Sequence, residues 1–109
     1  MAKSDFRIKV GSSYWTVSRV ANLEADGIPL FGQAVNLTKE IKLRAGMQPE
    51  QEAQVLLHEL LHAVCSEYCV SDILDEDEET VVDLIATGLT HAFKSTPDAL
   101  AYLQKQLGA

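Results

Sequence analysis

A chain of 109 residues suits one domain, able to bury roughly 65% of the surface its unfolded form exposes. Its hydrophobic fraction of 47% and charged fraction of 23% are those of a folded globular domain and exclude global disorder. Nine Lys and Arg against sixteen Asp and Glu leave a net charge of −7, which disfavours nucleic acid and anionic membrane surfaces as partners.

The first part of the chain has strand chemistry. Phe6, Ile8 and Val10 alternate with charged residues, Gly11-Ser12-Ser13 supplies a turn, and Tyr14 to Val20 is aromatic and β-branched, so the two segments read as a hairpin. Asn22 to Pro29 is a loop with an Asp26-Gly27 turn signal, and Leu30 to Leu37 is ambiguous. In Glu40-Ile41-Lys42-Leu43-Arg44 the apolar residues share one face and charges the other, which reads as a short edge strand guarded by charge.

Helical chemistry begins near Gln48. Pro49 suits a first helical turn, and Glu50 and Glu52 favour its positive end. The helix is expected to reach about Tyr68, with Ala53, Leu57, Leu60, Leu61 and Val64 as a broad apolar arc that Leu56 and Ala63 extend. A second helix starts in the acidic run Asp75-Glu76-Asp77-Glu78-Glu79 and continues to about Phe93, with Val82, Ile85, Ala86, Leu89 and Phe93 as its stripe. Thr96, with Pro97 after it, is expected to cap a third helix that ends near Gly108. The expected class is α+β, a small N-terminal antiparallel or mixed sheet (residues 1–46) followed by a helical part (residues 47–109). No apolar run approaches the ~18 residues of a membrane span, and the first residues carry no apolar leader region. Cys65 and Cys69 lie too close together to form a useful crosslink. Free thiols in a reducing, cytoplasmic compartment are the expectation.

The chemistry sits in His58-Glu59-Leu60-Leu61-His62. Residues four apart on a helix lie one above the other, about 6 Å along the axis, so His58 and His62 can converge on one zinc ion. Glu59 lies about 100° round the helix and can touch a water at such an ion. The plain alternative is two partly buried, hydrogen-bonded histidines. It leaves three polar groups on a mostly apolar helix in need of partners, and one ion satisfies both imidazoles.

Zinc needs a third protein ligand. His91, Cys65, Cys69, Asp72, Glu67 and Glu79 are the candidates. Cys65 is near the histidine stripe but a turn further on, Cys69 is farther still, Glu67 points away from His58, and Asp72 lies in the connecting loop without a supporting pattern. His91 falls twelve residues past Glu79, about 18 Å along the same helix. Glu79 is favoured, because Glu79-Thr80-Val81-Val82-Asp83 stacks Glu79 and Asp83 on one face beside the Val82–Ala86 stripe. Asp83 would then reach the outer nitrogen of a ligating histidine. The dipole and solvation account well for Asp75, Glu76, Asp77 and Glu78, but not for Asp83, which lies a turn deeper.

HELLH followed by ETVVD resembles the gluzincin zinc peptidases. The short chain, with strands before the HExxH helix, looks most like the small gluzincins, or minigluzincins, often found in phage and prophage genomes. The wider ImmA/IrrE-like peptidases are similar. The resemblance implies a single zincin-like domain and a metallopeptidase acting on peptide or protein substrates. It implies His58, His62 and Glu79 as zinc ligands, Glu59 as general base and Asp83 as the residue orienting a histidine, His58 by preference. It also implies Glu40, Ile41, Lys42, Leu43 and Arg44 as the rim strand along which a substrate adds. A non-catalytic or latent zinc-stabilised binding module is the alternative function.

Overall fold

The computed structural model describes residues 5–108, so part of the N-terminal stretch read above for a leader lies outside the described residues. The architecture is α+β, with a mixed four-stranded sheet first and helices after it. Strands β1 (Phe6–Val10) and β2 (Ser13–Val20) form the expected hairpin, in register from Phe6 opposite Val17 to Val10 opposite Ser13. The 22–29 loop folds as a two-stranded hairpin of β3 (Glu24–Ala25) and β4 (Ile28–Pro29). Asp26 and Gly27 turn it, both at positive φ, as a tight two-residue hairpin turn requires. The ambiguous stretch contains β5 (Gly32–Val35), and β6 is Glu40–Arg44.

The sheet order β1-β2-β6-β5 corrects the expectation for Glu40 to Arg44. This segment is an interior strand, parallel to β2 and antiparallel to β5, so it offers no open side to a substrate. Its alternation marks one buried face, with Ile41 and Leu43 at 0% and 2% exposure. Arg44 donates to the carbonyls of Leu30 and Leu23, tying down the loop that leads into β5. The edge beside the helices is β5.

Helix α1 (Pro49–Glu67) lies across one face of this sheet. Ala63, Val55, Leu56, Leu60 and Val64 pack on Trp15, Val17, Ile41 and Leu43, which form the core. Two polar clamps fix its ends over the sheet. Near its start, Glu52 accepts a forked pair of bonds from Arg19 of β2, with Nε at 2.7 Å. At its end, Glu67 accepts the indole N–H of buried Trp15 at 2.8 Å and pairs with Lys39 at 3.0 Å.

The segment expected to be a plain connection holds a short helix, α2 (Val70–Leu74), entered through Cys69 at a φ of 61° and left through Asp75 at 49°. A 3-10 turn at Asp75–Asp77 leads into α3 (Glu78–Ser95), and α4 (Asp98–Gln106) follows. Thr96 does not cap α4 through its side chain; its carbonyl accepts the Ala99 N–H instead. Helix α3 runs antiparallel to α1, since its start lies beside the histidines while Lys94 near its end bonds Glu50 at the start of α1 at 2.7 Å. Val82 and Ala86 are buried in this contact, whereas Ile85, expected in the same stripe, is 47% exposed. Among the described residues no helix is long and apolar enough to cross a membrane.

Candidate metal centre

Three elements meet at the middle of α1. The helix supplies His58, Glu59 and His62, the first turn of α3 supplies Glu79, and β5 forms the opposite wall. His58 and His62 stand 5.0 Å apart between ring centres, at 63° to one another. Both rings turn Nε2 towards the same atom. Glu79 Oε1 lies 2.7 Å from Nε2 of His58 and 3.3 Å from Nε2 of His62. One ligating atom from each of His58, His62 and Glu79 falls within 4.8 Å of the others, so the group could hold a metal ion. The carboxyl of Glu79 is open to solvent on its far side, with 71% of its side chain exposed, while its inner oxygen meets the imidazoles.

The outer nitrogens face carboxylates on α3. Nδ1 of His58 lies 3.8 Å from Asp83, longer than a hydrogen bond, and Nδ1 of His62 lies 2.6 Å from Glu78. The antiparallel packing explains this order, because His62 sits opposite the start of α3 and His58 opposite its second turn. Glu78 was expected among the solvated acids of the run; instead it is drawn inwards to His62. Burial by itself pulls the His62 imidazole down, but Glu78 and Glu79 together outweigh it, and the group titrates above its ordinary value.

Glu59 is the one charged residue buried in the described chain, at 8% exposure. Burial pushes its carboxyl above the usual range, against the pull of His58 and His62. It also accepts a hydrogen bond from the Ala34 backbone N–H. The sheet register shows why that N–H is available. The Arg44 N–H bonds the Phe31 carbonyl, which makes Phe31 and Arg44 a hydrogen-bonded pair. Pairs alternate along an antiparallel ladder, so Gly32 opposite Leu43 and Ala34 opposite Ile41 turn their N–H and C=O groups away from β6, towards the open edge.

Gly32 is a residue the sequence did not single out. A Cβ there would stand 2.5 Å from a Val55 methyl and 3.0 Å from the Glu59 side chain, so only glycine lets β5 approach the helix this closely. The signal was present as a glycine in a short strand, which commonly marks a close backbone approach. Hollows of about 670 and 400 Å³ flank the centre along β5. The larger, beside His62, is lined by Gln33, Asn36, Ser66, Ser71 and Asp72; the smaller, beside His58, by Phe31, Gln51, Gln54, Val55 and Asp83.

The other ligand candidates fall elsewhere. Glu67 is held by Trp15 and Lys39, Cys65 is buried, and His91 is exposed well along α3. Cys69 and Asp72 line the larger hollow but do not join the ligating group. No family model, curated sequence or solved structure matches the chain.

Proposed function

We propose that this chain is a zinc-dependent peptidase of gluzincin type, hydrolysing peptide bonds in protein or peptide substrates. The observation that carries the reading is the convergence of His58, His62 and Glu79 beside a buried glutamate and an open sheet edge. The donor set fits the ion. Bonds of about 2.0–2.1 Å in a tetrahedron put ligand atoms roughly 3.3 Å apart. The His62–Glu79 separation of 3.3 Å matches this, and the 2.7 Å of His58–Glu79 needs only slight opening. Two imidazoles and one carboxylate leave a fourth position open, as in catalytic rather than structural sites.

A zinc ion held there would supply a Lewis acid and lower the pKa of a water to near 7. The chain's own groups handle the proton. Glu59 has a carboxyl raised by burial, which makes it a better base at neutral pH than an exposed glutamate. It accepts a proton from the attacking water and returns it to the leaving amine nitrogen, while the Ala34 N–H keeps its carboxylate beside β5. Along that strand the outward N–H and C=O of Gly32 and the C=O of Ala34 suit main-chain pairing with an extended peptide, while the Ala34 N–H stays with Glu59. This gives β5 the role that the resemblance implied for Glu40–Arg44. Glu59→Gln should retain zinc and lose hydrolysis of denatured casein by about 10²–10⁴-fold. Turnover equal to the wild type would refute the assigned base.

A further inference from the structure

We infer that Glu78 is a positioning residue for His62, and that Ser71 on α2 holds it in place. The inference rests on the metal-site reading and extends it to a residue outside the ligand set.

Glu78 differs from its neighbours in the acidic run. Asp75, Glu76, Asp77 and Glu79 are exposed, while the Glu78 side chain keeps only 20% of its surface. A carboxylate withdrawn from water needs compensating hydrogen bonds. Glu78 has two: the Ser71 hydroxyl donates to it, and Nδ1 of His62 lies 2.6 Å away. The second has the length of a charge-assisted bond. A helix start alone would be satisfied by an exposed acid, so the macrodipole does not explain the inward turn.

The chemical consequence lies on the opposite side of the ring. A neutral imidazole whose Nδ1–H donates a hydrogen bond to a carboxylate presents a bare lone pair at Nε2. In His62 that nitrogen faces the point shared with His58 and Glu79. Glu78 therefore selects the tautomer able to ligate and fixes the plane of the ring. His58 is held less firmly, since Asp83 stands 3.8 Å from its Nδ1. The short helix α2 acquires a purpose here. The left-handed residues Cys69 and Asp75 bend the chain at its two ends, and Ser71 between them meets Glu78.

Two readouts test this. The first is ¹⁵N NMR of histidine-labelled protein prepared without metal, at a pH above the titration of His62, which reports the tautomer of the neutral ring. Wild type should show the proton on Nδ1. Glu78→Ala should move it towards Nε2, and Glu78→Gln, whose amide oxygen still accepts, should keep it on Nδ1. The second is zinc affinity by chelator competition. Glu78→Ala should weaken binding by about 10–100-fold, Glu78→Gln should recover most of the loss, and Glu76→Ala should change nothing. Ser71→Ala, which leaves the carboxylate in place, should weaken zinc several-fold and carries the test if Glu78→Ala does not fold. Wild-type tautomer and zinc affinity in either Glu78→Ala or Ser71→Ala would overturn the proposal. A wild type that binds no zinc, yet whose His62 tautomer depends on Glu78, would remove the metal reading and keep the contact with His62.

Discussion

At the scale of single residues, the centre depends on a side chain that is missing as much as on those present. Gly32 lets the β5 backbone come within reach of Glu59, which is how the Ala34 N–H meets the carboxylate. Gly32→Ala would put a methyl into space already held by Val55 and Glu59. We expect a stability loss of about 1–3 kcal/mol in urea unfolding, together with reduced hydrolysis as Glu59 is displaced. A variant as stable and active as the wild type would mean that the strand moves away freely. The histidine pair was legible in the sequence because helical spacing alone brings residues four apart together, and Glu79 because Asp83 repeats its face. Glu78 was not legible. An acid at a helix start is already explained by the dipole, and only the packing of α3 shows that Glu78, unlike the three acids before it, turns inwards.

At the scale of elements, helix α1 keeps its place through clamps to the sheet at both ends. Each depends on a carboxylate whose pKa lies below its ordinary value of about 4.5: Glu67, held first by Lys39 and then by Trp15, and Glu52, held by Arg19. A depressed folded-state pKa contributes stability that is present above the unfolded value and is lost as pH falls through the folded one. Stability should therefore decline below about pH 4.5 through these two groups, read by the fluorescence of Trp15, the sole tryptophan. Glu67→Gln should be less stable at neutral pH and show a flatter acid limb; an unchanged limb would remove the clamp from the account. The strands show where sequence reading stops. Alternation in Glu40–Arg44 looks the same for a charge-guarded edge and for an interior strand with one buried face. Gly32–Val35 lacks the β-branched density that marks a strand, yet it forms the edge. Strand order depends on the crossover from β2 to β6, which no local pattern encodes.

For the molecule as a whole, the division into a sheet and then helices was visible in composition and period, and it determines where the candidate centre can form. The sheet presents one face to α1, and α2 turns the chain so that α3 returns antiparallel along it. An ion at the centre would bridge α1 and α3. This central claim is tested most directly by elemental analysis of purified wild type and Glu79→Ala after dialysis against trace zinc. The account predicts one zinc per wild-type chain and almost none in the variant; equal zinc in the two proteins, or none in the wild type, would contradict it.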